Sequence, residues 1–435
     1  MNGELKSERR TFLNISSFQI LIMFRRGLFY SYLSIYLRFF LGLSVTETTL
    51  FATIPMIINV ICQTFIWGRV SDKLQLRRTL IIIGEVAAAI ITIFVWYIHV
   101  LPESKYAAGY VMILGMTIIE IFWSMSNVAW SALISDIYPE DQRAGLQGRM
   151  ASIGAVGRFI GILIGGLLYD GLSRYYDGWG FHSGALFFIA SGVMIISAIP
   201  MFFVPEGGVK KSARPVSDDI STVPISKIDS RDSTIKTFMI FLLAMTFINF
   251  GMNSIILLKS QYLILEDGFN VSSRVLSYIL SMGTVAMFSI GLLIKPLSGR
   301  FKDEFMLLSG CLIGTLYLVG FILARNLGTV YVSDFLGGTA MVILMSASYS
   351  YASKLIPPEK RGKQFALFNA SFFLSWGLPG TFITGPLVDG LIKSGASQVY
   401  SYKMAFVAAA LLVAIGAIVL IFNFQMKKKV TQAEL

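Results

Sequence analysis

The 435 residues are 55% hydrophobic and only 14% charged, with a mean hydropathy of +0.70. Soluble domains carry about 25% charged residues, so this composition excludes a water-soluble fold and makes the bilayer the expected solvent. The net charge of +11 falls in short clusters between apolar runs, which fits membrane topology and not nucleic-acid binding.

A helical span needs roughly 20 mostly apolar residues. Read in order, that length predicts spans at Phe12–Leu41, Thr48–Trp67, Thr79–Val100, Tyr106–Leu133, Leu146–Leu168 and Ser183–Val204. The first run is too long for a cleavable signal peptide and contains two arginines. A polar stretch from Pro205 to Lys236 reads as a solvated linker. Six more spans follow at Thr237–Leu265, Ser272–Ile294, Phe305–Ala324, Thr329–Ile356, Phe365–Leu387 and Tyr402–Phe424. Cys62 and Cys311 lie inside spans without paired spacing, and His99 and His182 are the only histidines. No disulfide, metal or cofactor is expected from them.

With both termini cytoplasmic, the inside segments hold 25 of the 36 lysines and arginines and the outside segments 7. That bias orients the chain by the positive-inside rule. Between the second and third spans lies Gly68–Arg78, GRVSDKLQLRR, whose charges cannot lie in hydrocarbon and predict a tight cytoplasmic turn. Its echo, Gly299–Asp303, sits between the eighth and ninth spans. Pro139-Glu140 and Arg143 open the fifth span, which ends in Tyr169-Asp170-Gly171. Pro358-Glu359 and Arg361 open the eleventh, which ends in Val388-Asp389-Gly390. These matched loops describe a duplicated bundle: an all-α integral membrane protein of twelve transmembrane helices in two pseudo-symmetric six-helix bundles. The domains expected are 1–204, a cytoplasmic linker 205–236, and 237–435 with its tail.

Twelve spans, a 6+6 repeat and this loop resemble the major facilitator superfamily. Gly68, Val70, Ser71, Asp72, Lys73 and the pair Arg77-Arg78 match the family's loop. Gln75 departs from it, standing where the family has glycine, and one extra residue precedes the arginine pair. The resemblance implies a cytoplasmic gate at Gly68, Asp72, Lys73, Arg77 and Arg78, in which Asp72 contacts the opposite bundle near the start of the eleventh span. A second-half gate would use Gly299, Arg300, Asp303, Glu359 and Arg361. The run Gly154, Gly157, Gly161, Gly165, Gly166 resembles the fifth-span motif of drug/proton antiporters, with Arg158 where that motif has proline.

Ionisable residues inside a membrane are costly and mark function or pairing. Arg25 and Arg26 lie midway along the first span; about 100° apart on a helix, they face different surroundings. Glu120 and Arg158 lie at similar depth, so a Glu120–Arg158 pair is expected, functional or structural. Glu85 is assigned to the cytoplasmic gate, with a role as a further partner of the arginines as the alternative, and Asp334 to a cap or outer gate. Trp123 lies one turn from Glu120. Asn249 and Asn253 share a face of the seventh span. Arg25, Arg26, Glu120, Trp123, Arg158, Asn249 and Asn253 form the expected substrate and proton pathway, with Glu120 as the proton carrier.

No Walker-type loop, HExxH or reactive-cysteine setting is present, so neither ATP drive nor enzymatic activity is expected. The expected function is secondary transport by alternating access in a cell membrane, with the proton as coupling ion and a small solute as cargo. That cargo is either an amphipathic compound or an organic anion or sugar. The alternative is a non-transporting receptor on the same fold. The expected partners are lipid, solute and proton, with a monomeric chain and no nucleic acid.

Overall fold

The structure is a computed structural model that describes residues 2–138, 140–208, 228–356 and 361–433. Helices account for nearly all of the described residues. In the first half they are α1 (Asn2–Ile35), α2 (Val45–Ile61), α3 (Gly68–Leu74), α4 (Arg77–His99), α5 (Lys105–Ile137), α6 (Glu140–Tyr169), α7 (Trp179–His182) and α8 (Ala185–Met201). In the second half they are α9 (Ile228–Ser254), α10 (Ile256–Ile264), α11 (Ser273–Arg300), α12 (Asp303–Leu323), α13 (Leu327–Leu355), α14 (Arg361–Leu374), α15 (Gly385–Lys393) and α16 (Gln398–Ala433). Wider π turns continue α1 at Tyr36–Phe40, join α2 to α3 at Cys62–Trp67, and precede α15 at Gly380–Thr384.

Nine of these helical runs, among the described residues, are long and apolar enough to cross a bilayer. α8 is apolar but shorter. Besides α8, two expected spans fall outside that set for visible reasons. Asn14, Gln19, Arg25 and Arg26 interrupt the apolar run of α1. A bend at Ser375–Gly377 divides the eleventh span. A Cβ on Gly377 would lie 2.4 Å from the Thr53 Cα, so the bend presses directly on α2. Large apolar side chains such as Phe65, Phe94, Leu292, Leu312 and Ile418 point outward, where lipid covers them at no cost.

In the first half, α1 packs along α6 and against α8, while α4 packs on α5 and α8. In the second half, α9 packs on α16, and α12 on α13 and α16. The halves meet where α6 touches α11, α1 touches α10, and α2 touches α15. Among the described residues, the hydrogen bonds that join them cluster at one end. There Asp389 accepts from Val45 and Thr46, Asp170 accepts from Ser273, and Thr381 bonds Thr49 and Thr53. Gln261 adds bonds to Ser34 and Thr48. We call this the seam end and the opposite one, with Gly68–Arg78, the motif end.

Gly68–Arg78 is not the tight turn expected. The helix runs on through Gly68–Leu74, and only Gln75 and Leu76 turn the chain. Gln75 takes the left-handed conformation, φ 57°, a backbone state that glycine adopts without strain. Most of the linker expected at 205–236 lies outside the described residues. The last helix continues past the expected end at Phe424 to Ala433.

Candidate functional site

The site is built on a glycine seam. Gly157 and Gly161 of α6 lie so close to α1 that a Cβ would meet the Ile20 and Phe24 carbonyl oxygens at 2.2 and 2.0 Å. Gly27 of α1 meets the Arg158 carbonyl oxygen at 2.3 Å in the same way. Two helices this close require the small residues both contribute. The contact sets the Arg158 backbone beside Gly27, one residue from Arg26.

Arg25 and Arg26 leave α1 in different directions. Arg25 is 3% exposed and forms an ion pair with Glu85 at 3.0 Å. Its guanidinium also lies 3.9 Å from the Trp123 ring centre. Ser126 donates to the other Glu85 oxygen at 3.0 Å. Glu85 is thus the buried counter-ion of Arg25 rather than a gate residue. Arg26 is exposed and lies within electrostatic reach of Glu120 and Arg158.

Glu120 is buried on α5 and accepts a hydrogen bond from the Asn59 amide of α2. Gln63 donates to the Asn59 side-chain oxygen Oδ1 at 2.5 Å. The expected Glu120–Arg158 pair does not form. The carboxylate is taken from the α2 side, and Arg158 lies within electrostatic reach of Arg26 and of Asp334. Neither Arg26 nor Arg158 has a carboxylate at ion-pair distance among the described residues.

Asp334 does not cap its own helix, which Asn326 caps. It is buried, pairs with Lys259 and accepts from the Gly283 amide at 3.0 Å. Sequence reasoning left Lys259 unassigned; the signal was a lone lysine inside the seventh span. Asn253 of α9 donates to Ser375 at 2.6 Å, while its side-chain oxygen has no partner. Asn249, one turn earlier, is also buried. Trp123 is buried with its indole Nε1 unpartnered, and its ring lies 6.0 Å from that of Tyr30. Of the other first-span aromatics, Tyr32 and Tyr36 are fully buried in packing and Phe29 nearly so.

Among the described residues, the charges at the motif end pair within their own half. Arg77 donates to Ser71 at 2.5 Å and reaches Asp72 and Asp136, both at 3.3 Å. Arg78 pairs with Glu206 at 2.9 Å. Asp72, 79% exposed, and Lys73 face open space, and Gly68 carries the helix into the loop. In the second half Asp303 is buried, accepting from Lys354 at 2.5 Å and Ser350 at 3.1 Å. Arg300 is exposed, and nothing lies within 4 Å of a Cβ on Gly299. Glu359 lies outside the described residues, as does the side chain of Arg361.

Residues 15–380 match the family described as Major Facilitator Superfamily. The chain belongs to the major facilitator superfamily. No curated protein sequence matches it. Superfamily-type folds recur among solved structures. One is a bacterial homologue of the human lysosomal transporter Spinster, inward-facing and unoccupied, at TM-score 0.74 and 16% identity over 97% of this chain and 98% of that one. Another is a point mutant of the nucleoside transporter NupG, at TM-score 0.72 and 14% identity over 95% and 100%. A third is a POT family transporter in complex with 5-aminolevulinic acid, at TM-score 0.68 and 13% identity over 96% of each chain. Superfamily membership makes the chain a multi-pass membrane protein of transporter type.

Proposed function

We propose that this chain is a secondary active transporter working by alternating access, with Glu120 as its proton-binding group. The units that move are residues 1–204 and 237–435, joined by the cytoplasmic linker 205–236. The observation that carries the reading is the placement of Glu120, Arg158 and the Lys259–Asp334 pair in the interior, with Arg26 exposed beside them, next to a seam whose described bonds gather at one end. A central site between rocking bundles is what alternating access requires.

The Lys and Arg bias makes the motif end cytoplasmic. Both termini then lie on the cytoplasmic side of a plasma or inner membrane, and the described state is inward-open. Gly68, Asp72, Lys73, Arg77 and Arg78 act with Gly299, Arg300, Asp303, Glu359 and Arg361 as the gate that closes when the seam opens. Trp123, Asn249 and Asn253 complete the polar lining beside Arg25, Arg26 and Arg158. A single chain holds the whole site, so the monomer suffices. The reading is tested by proton movement in proteoliposomes carrying an interior pH dye, with solutes added in turn. Solute-dependent proton flux that E120Q abolishes supports it. Solute flux that ignores an imposed proton gradient contradicts it.

A further inference from the structure

The interior charges do not balance. Arg25, Arg26, Arg158 and Lys259 face Glu85, Glu120 and Asp334 across the two halves. Glu85 is committed to Arg25 and Ser126. Asp334 is committed to Lys259 and the Gly283 amide. Glu120 is held by Asn59. Arg26 and Arg158 remain, with neighbouring backbones and no carboxylate at ion-pair distance among the described residues. An arginine kept inside a membrane without a full counter-charge is costly, and paired guanidiniums are suited to bidentate capture of an oxyanion.

Resting on the transporter reading above, we infer that the cargo is a carboxylate anion, its acid group held between Arg26 and Arg158 and bound together with the proton on Glu120. Glu120 lies within electrostatic reach of Arg25, Arg26, Glu85 and Tyr30. Arg25 already serves Glu85, so Glu120 and the cargo compete for Arg26. A proton on Glu120 removes that competitor, and the anion then takes its place. Cargo and proton therefore enter as a pair. The apolar part of the cargo meets Tyr30 and Trp123, whose unpartnered indole N–H supplies one more donor.

The test uses the full-length purified protein and matched probes: straight-chain carboxylates from acetate to dodecanoate, and benzoate, each with its amide and its primary amine. Thermal stabilisation and calorimetry are read at mildly acidic and neutral pH. Carboxylates stabilise the protein, most at acidic pH, and their amides and amines do not. R26Q and R158Q each weaken carboxylate binding by about tenfold or more, a loss of about 1.4 kcal/mol. R26K and R158K retain part of it. E120Q binds carboxylates with no pH dependence. The inference is overturned if amines or amides bind in place of carboxylates, or if no carboxylate binds. It is also overturned if affinity survives in both glutamine variants. Inter-helix distances measured in the same samples keep the two readings apart. Switching between two states without carboxylate binding sinks only the cargo class; a single fixed state sinks the transporter reading.

Discussion

Asp389 caps the start of α2 from the opposite half of the molecule. Its carboxylate accepts from the Val45 amide at 2.9 Å, the Thr46 amide at 2.8 Å and the Thr46 hydroxyl at 2.6 Å. A carboxylate at a helix N-terminus satisfies amides left unpaired by the helix and meets the positive end of its dipole. Asp170, at the matching place in the repeat, accepts from Ser273 at 3.0 Å, in the first turn of α11. The repeated Asp-Gly pair is thus the seam itself, used once in each direction. Charge-assisted bonds contribute about 1.5–3 kcal/mol. D389A should therefore shift the conformational equilibrium away from the seam-closed state by about tenfold or more, read as the ratio of inter-half distance populations. An unchanged ratio would assign Asp389 to helix capping alone.

The Arg25–Glu85 pair makes a stability prediction. Both side chains are 3% exposed, and breaking a buried pair costs about 3–5 kcal/mol because one charge is left alone. E85L should lower the thermal midpoint sharply, whereas the double replacement R25L/E85L should recover most of the loss. If the double variant is as unstable as E85L, the pair is not what destabilises it.

Gln75 predicts a small effect of definite sign. A left-handed non-glycine residue costs about 1 kcal/mol relative to glycine. Its side chain offsets part of that by donating to the Asp72 carbonyl at 2.8 Å. Q75G should be neutral or slightly stabilising in detergent melts, and Q75A, which keeps the strain and loses the bond, destabilising. A Q75G variant clearly less stable than the parent protein would show that the side-chain bond matters more than the backbone.

At the α1–α6 contact no side chain fits. G161V would place its Cβ 2.0 Å from the Phe24 carbonyl oxygen and must push the helices apart. We expect misfolding or loss of solute binding, seen as aggregation on size exclusion or absent ligand stabilisation. Full binding in G161V would mean that the helices part freely and that the seam does not position Arg158.

The long apolar runs made the spans legible, because hydrocarbon thickness sets their length and the Lys and Arg clusters punctuate them. The repeat was legible too, though the role of its aspartates was not: Asp389 bonds residues 343 and 344 positions away, and no local pattern records that. The charged residues of the interior could be found one by one, but not paired. Equal depth suggested Glu120 with Arg158, yet depth says nothing of azimuth. The α2 amide of Asn59 reached Glu120 instead, and α4 supplied Glu85 to Arg25. Lys259 and Asp334 were visible as residues; their ion pair depends on α10 and α13 meeting, which only the fold supplies.

The central claim is that the two halves alternate, and a pair of distances tests it most directly. Spin labels at L74C with F301C report the motif end, and labels at L172C with Y400C report the seam end, all on exposed positions and with Cys62 and Cys311 replaced by alanine. Double electron–electron resonance should give two populations at each end, long at one when short at the other. D389A should enrich the seam-open, motif-closed population. A single distance at both ends, unmoved by D389A and by added carboxylate, would contradict the account.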